Sequence, residues 1–337
     1  MDMIVKPPFA HRQIATVSST AGTANGKIKI PLDKNRLVSE YILDVSTSQT
    51  IGTNAPTSSD VRDAFTMIQL VSDIFGVLVS MPFAQYYDLV RFTENTPVPV
   101  VALGAGGGAA ATARFFCDVE CIMDEATLGM LTALQTADHG SLYLELTCAS
   151  NAANHIKGGT GTMGDTSYTV IVEEKSYPEW SGKNISVAGL HYGRAYQVAK
   201  SLEESTGVAA VKEVSTLLET GGNLRFLLLH AYNTTGTYPV LANGILDAVT
   251  SLEIGGKEYA LNRAAEGFQN QNIRYRNFNQ TGVYVIDFGD DHRGWPNMNG
   301  LNEVRLKYKT KASAPAGWKI QVAQVRALGL EKAFSGK

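Results

Sequence analysis

The chain has 337 residues, 44% hydrophobic and 18% charged, which is enough apolar material for one large core or two at roughly 100–200 residues per domain. Its 29 Lys and Arg against 32 Asp and Glu give a net charge of −3, which argues against a dedicated nucleic-acid binder with its basic excess. Three cysteines, Cys117, Cys121 and Cys148, cannot make a disulfide framework and are expected as buried free thiols of a reducing compartment.

Residues 1–26 read as an arm. Pro7 and Pro8 oppose regular structure, and 18–23 is a Ser/Thr/Gly linker. No signal-peptide core opens the chain and no run of ~18 apolar residues follows, so cytoplasmic synthesis is expected. Up to Arg36 the basic residues Lys6, Arg12, Lys27, Lys29, Lys34 and Arg36 outnumber Asp2 and Asp33, which suits an arm against an anionic surface or a neighbouring subunit.

Beyond the arm, period-2 alternation dominates. Leu142, Leu144, Leu146 and Cys148 share one face, as do Val304, Leu306 and Tyr308, with polar residues between. Such alternation predicts antiparallel strands with one wet face. Further strands are predicted at 37–46, 67–73, 76–80, 114–123, 168–173, 224–232, 248–254, 282–288 and 319–325. Helical spacing marks Phe83, Tyr86, Tyr87 and Val90, then Leu261, Ala264, Ala265 and Phe268. A third helical region is predicted over 193–220, from stripes at Ala195, Val198, Ala199 and Leu202 and at Val211, Val214, Leu217 and Leu218, stopped by Gly221-Gly222.

The order of elements repeats. A strand (37–46 or 224–232) leads to a strand turning at Gly76 or at Gly255-Gly256. A short helix and three strands follow in each half. The pattern predicts an all-β chain of two tandem eight-stranded antiparallel jelly-roll β-sandwiches with short helices in the connections. The boundaries are an arm at 1–26, a first jelly roll at 27–175 and a second at 176–337 that carries the helical insertion 193–220.

Three local features carry candidate chemistry. Gly104, Gly106 and Ala109 satisfy G-x-G-x-x-A between a possible strand and a possible helix, the setting of a dinucleotide phosphate site. A Gly/Ala loop between two strands explains it more simply, since no βαβ rhythm follows. Asp287, Asp290 and Asp291, with His292 and Arg293 after them, are weak candidates for calcium between subunits, against a plain solvated turn. Trp180, Trp295 and Trp318 fall in loops or at strand starts, as contact residues or core caps. Cys117 and Cys121 lie ~13 Å apart if on a strand, too far for one metal. The six histidines show no metal-ligand spacing, and no nucleophile elbow is present. No catalytic residue and no cofactor other than that calcium are assigned.

With its helix in the same connection of each half, the pattern resembles the double-jelly-roll major capsid proteins of tailless icosahedral viruses. The nearest in kind are those of membrane-containing, corticovirus-like and tectivirus-like bacterial viruses. The phrases Asn35-Arg36-Leu37-Val38-Ser39-Glu40-Tyr41-Ile42-Leu43-Asp44-Val45, Val283-Tyr284-Val285-Ile286-Asp287-Phe288 and Leu301-Asn302-Glu303-Val304-Arg305-Leu306 carry the resemblance. It covers about 30–330, and its motifs are of low specificity because jelly rolls share no catalytic signature. The resemblance implies a non-enzymatic virion protein, a homotrimer of pseudo-hexagonal outline. Such capsomers tile an icosahedral shell beside other capsid proteins such as a penton protein. The arm would lie toward an internal membrane or the genome, with no small-molecule substrate, and loops 124–140 and 158–166 would share one end. Two readings of other classes stay open. One is a two-domain β-sandwich receptor- or carbohydrate-binding spike, and the other is a nucleotide-binding enzyme using Gly104–Ala109.

Overall fold

The structure is a computed structural model. It describes residues 10–330 except 35, 53–55, 58–59, 95–99, 104–106, 109, 122–131, 138, 157–158, 161, 178–185, 188–189, 192–194, 203–204, 208–211, 236–238 and 290–294. The chain divides into two compact units, Met1–Val90 with Pro97–Gln197 and Gly329–Lys337, and Arg91–Thr96 with Val198–Leu328.

The first unit runs β1 (Ala10–Ala21), β2 (Lys27–Pro31), β3 (Leu37–Ile51), β4 (Phe65–Ser72), β5 (Gly76–Met81), α1 (Phe83–Thr93), β6 (Val100–Ala102), β7 (Ala110–Glu120), β8 (Leu134–Gln135), β9 (Leu142–Cys148), β10 (Gly159–Thr160) and β11 (Ser167–Ser176). A small hairpin, β12 (Ser186–Val187) and β13 (Leu190–His191), follows. One sheet has the order β1-β11-β3-β7-β6, with β8 and β10 added to β3, and the other the order β5-β4-β9-β2. Every pairing in these sheets for which a register is defined is antiparallel. Alternation drives the packing. Leu142, Leu144 and Leu146 of β9 and Tyr168, Val170 and Val172 of β11 are buried, because successive strand residues face opposite sides of the sheet. Phe65 joins the layers, stacking on Tyr168 at 5.2 Å and meeting Phe83 edge-on at 5.3 Å. Such aromatic pairs contribute about 1 kcal/mol beyond their burial.

The second unit holds most of β14 (Tyr196–Ser201), then β15 (Ser205–Gly207), β16 (Glu213–Leu218), β17 (Asn223–Asn233), β18 (Val240–Leu241), β19 (Leu246–Ile254), β20 (Lys257–Ala264), α2 (Ala265–Arg276), β21 (Val283–Asp287), β22 (Val304–Thr310) and β23 (Trp318–Leu328). Strand β17 lies between β23 on one side and β21 and β18 on the other. The second sheet has the order β16-β22-β19-β20. Strand β21 is buried throughout and the middle of β17 and most of β23 are buried on consecutive residues, so the centre of this sheet is covered on both faces. Phe92, from the segment Arg91–Thr96, helps to cover it, meeting Phe226 at 5.6 Å and Phe278 at 5.7 Å.

The two units repeat one strand order. In the first, β2-β9-β4-β5 form one sheet and β1-β11-β3-β7 the other. In the second, β16-β22-β19-β20 match the former, and β15, β23, β17 and β21 pair as the latter do. Both hairpin turns use left-handed glycines, Gly76 (φ 70°) closing a three-residue loop and Gly255-Gly256 (φ 56° and 78°) forming a two-residue turn, the conformation that tight hairpin turns demand.

Three expectations are corrected here. Residues 10–21 of the supposed arm form β1, paired antiparallel with β11 from Ala10↔Ser176 to Ala21↔Ser167. The described residues of 193–220 are strands or loop, not helix. In β16 the inward residues are Val214, Thr216 and Leu218, a period of two that counting only aliphatic residues hides. The second short helix also lies later than predicted, since Leu261 and Ala264 belong to β20 and the helix starts at Ala265.

Candidate assembly surfaces

The outer face of β7-β3-β11 presents Glu40, Ile42 and Asp44 from β3, Arg114, Phe116, Asp118 and Glu120 from β7, and Ile171, Glu173 and Lys175 from β11. Asp118 and Glu173 are the cross-strand neighbours of Ile42. Arg114 binds Asp44 through two hydrogen bonds, 2.9 and 2.6 Å, and Lys175 binds Glu40 at 3.0 Å. That leaves a half-buried apolar row of Ile42, Phe116 and Ile171 within a field of mostly acidic charge.

The outer face of β16-β22-β19-β20 closes its charges on itself. Lys309 meets Glu213 at 2.9 Å, and Lys307 meets Glu253 at 3.0 Å and Glu258 at 3.7 Å. A hydrogen bond from Ser251, with Lys307 alongside, holds the Glu258 carboxyl below its usual range. Large apolar side chains exposed in the second unit are Leu217, Val240, Tyr259, Ile273 and Tyr275. Two of these, Ile273 and Tyr275, lie on α2 beside Arg274.

Each helix meets the edge of its sheet. Tyr86 of α1 donates its hydroxyl to the Asp118 carbonyl of β7 at 3.1 Å. On α2, Asn272 is 4% exposed. With its amide nitrogen turned to the carbonyls, it donates to Val285 O at 3.2 Å and Phe268 O at 3.3 Å, and its oxygen accepts from Val285 N at 3.1 Å. An open strand edge is a template for unwanted pairing, and these side chains occupy it. Residue counting missed both, for nothing in the spacing of a lone Asn or Tyr announces a backbone partner.

Of the residues singled out in the sequence, Asp287, Trp295, Trp318 and the three cysteines lie among the described ones. Asp287 is almost buried, with Oδ2 3.2 Å from Arg276 and Oδ1 accepting from Gly289 N at 2.8 Å. A cation there would compete with Arg276. Asp290, Asp291, His292 and Arg293 lie outside the described residues, as do Gly104, Gly106, Ala109, Trp180 and parts of both long loops. Among the described residues, no three His, Cys, Asp or Glu side chains are grouped to hold a metal. Strand β6 pairs antiparallel with β7, and Ala110 onward is strand, so no helix follows the glycine run as a phosphate site of that kind requires. Trp318 is wholly buried and Trp295 half-buried beside Arg225, which makes Trp318 a core residue.

Cys117, Cys121 and Cys148 are buried thiols, and burial pushes the Cys121 thiol up. His139, His155 and His230 are buried in hydrogen bonds. For His155, Thr47 lies 3.0 Å from Nε2 and Gln49 meets Nδ1. Burial lowers the His155 pKa to about 4.

No protein-family model and no curated protein matches the sequence. Solved structures match along the whole chain. The major capsid protein of Sulfolobus turreted icosahedral virus superposes with a TM-score of 0.68 at 12% identity, covering 96% of this chain and 97% of that one. The chain has the double-jelly-roll fold. VP54 of PBCV-1 gives 0.63 at 14% identity over 97% and 96% of the two chains. The major capsid protein P2 of bacteriophage PM2 gives 0.58 at 11% identity over 94% and 97%.

Proposed function

We propose that the chain is a major capsid protein that self-associates into the shell of an icosahedral virus and resides in the virion capsid. The observation that carries this reading is the match of the entire duplicated sandwich, end to end, to capsid proteins of that type. Isolated sandwiches serve many functions, whereas a tandem pair sharing one strand order over the full chain is a far narrower architecture.

The charge of the units supports assembly as a closed ring of three. The first unit holds 14 Lys and Arg against 19 Asp and Glu, and the second 15 against 13. Heterologous packing in a cyclic trimer sets unlike surfaces together, and the acidic face of β7-β3-β11 suits a partner of opposite sign. The trimers then tile beside one another and beside a different protein at the vertices. The segment preceding β1 lies on the membrane or genome side. This work needs no substrate and no catalytic group.

Light scattering of the purified chain tests the reading. A stable species near three times 36.3 kDa, forming hexagonal arrays or shells under the electron microscope, is the expected result. A monomer at all concentrations that forms no lattice would overturn it.

A further inference from the structure

Strand β1 is the outermost strand of its sheet, with β11 as its strand neighbour. Its register breaks twice, between Gln13 and Ala15 and between Val17 and Thr20. One buried acid sits beneath it. Glu174 of β11 is the cross-strand partner of Arg12 on β1 and of Tyr41 on β3, and both Glu174 and Tyr41 are fully buried. Glu174 Oε1 accepts from Ser176 Oγ at 2.7 Å, while Oε2 and the Tyr41 hydroxyl have no hydrogen-bond partner among the described residues.

The charged and titratable groups around Glu174 come from every neighbouring segment. Arg12 of β1 lies 4.0 Å away and is drawn to Asp33 at 2.5 Å. Asp33 and Arg36 act from the β2–β3 connection, and Tyr41 faces it from β3. Cys121 lies just beyond β7. Glu173 and Lys175 of β11 itself point to the opposite face of the sheet. Burial raises the Glu174 pKa from its ordinary value and Asp33 adds to the rise, while Ser176, Arg12 and Arg36 oppose it.

A buried carboxylate with one oxygen unsatisfied is costly. Lifting β1 admits water to it and relieves that cost, whereas a protonated Glu174 carries no such cost. We propose that β1 is an acid-closed strap, in which a proton on Glu174 seats Ala10–Ala21 against β11 and loss of that proton loosens the strand. The sign follows from linkage: the closed state binds the proton more tightly, so its advantage is complete in acid and is lost as pH rises through the closed-state pKa. The use of such a strap in shell assembly rests on the reading above; the opening itself does not.

Hydrogen exchange on the dispersed chain tests it, with protection of residues 10–21 compared at about pH 5 and about pH 8 after correction for intrinsic rates. Protection of β1 is expected to fall several-fold at the higher pH while that of β9, which the His155 titration strengthens over this range, does not fall. Glu174→Gln keeps the shape without the charge and is expected to show equal protection at both values. Arg12→Gln, which removes the nearest cation, is expected to deepen the fall. A wild-type strand with no pH response, or a Glu174→Gln variant with the wild-type response, would overturn the strap. Because the chain is dispersed, neither result bears on whether it builds a shell.

Discussion

The side chain of Asn272 pairs with both backbone groups of Val285, so α2 completes the ladder of β21 with a carboxamide in place of another strand. Its counterpart in the first unit is the single bond from Tyr86 to Asp118 O. Both helices follow directly on the second strand of a hairpin, the position from which a short helix reaches the neighbouring edge.

Asn272→Leu leaves the Val285 amide and carbonyl unpaired in an apolar setting and is expected to cost about 2–3 kcal/mol. Tyr86→Phe removes one neutral hydrogen bond and is expected to cost about 1 kcal/mol. Urea unfolding, with both midpoints compared to wild type, checks the pair and their order.

A buried ion pair ties the turn Asp60–Asp63 to α1, with Arg62 3.3 Å from Asp88 and both side chains nearly inaccessible. Asp88→Ala strands the guanidinium and is expected to cost about 3–5 kcal/mol. The double variant Arg62→Met with Asp88→Leu recovers most of that loss, because apolar groups of similar size tolerate the site. A thermodynamic cycle over the three variants gives the coupling.

His155 gives stability a pH dependence opposite in sign to that of Glu174. Its folded pKa of about 4 lies below the ordinary value of 6.5. The unfolded chain therefore binds more protons between those values, and stability falls as pH drops through that window. The loss approaches about 3 kcal/mol by pH 4. His155→Gln is expected to flatten the dependence of the urea midpoint there.

Gly222 begins its turn at φ 73°, and a Cβ there would strike the Ala327 carbonyl and Leu328. Gly222→Ala is expected to cost at least about 1 kcal/mol, read as a lowered melting temperature. Gly256→Ala, with an equally left-handed backbone but open space around it, separates the clash from the strain.

The long paired strands were legible because one face of each is apolar, as in β9 and β22. The two regions misread, β1 and β14 through β16, lie ahead of the long strands β3 and β17 of the two repeats. Both are rich in Ser and Thr. Thr216 fills an inward position, so hydroxyl residues erase the alternation that betrays a strand. Glu174 was within reach of the same logic: Tyr168, Val170 and Val172 set the inward phase, and the next residue in phase is an acid. The partner of Asn272 was not legible, since a side chain that bonds backbone leaves no covarying spacing along the chain.

The segment Arg91–Thr96 belongs with the second unit although the helix it ends begins in the first, and Phe92 seats against Phe226 and Phe278. The duplicated halves are thus no longer modules that can be cut apart and expressed singly. A fragment beginning at Val198 lacks the ring that meets Phe226 and Phe278, and a lesion in the last turn of α1 is felt in the half that follows it. Although both halves follow one strand order, deleting either one takes part of that helix with it.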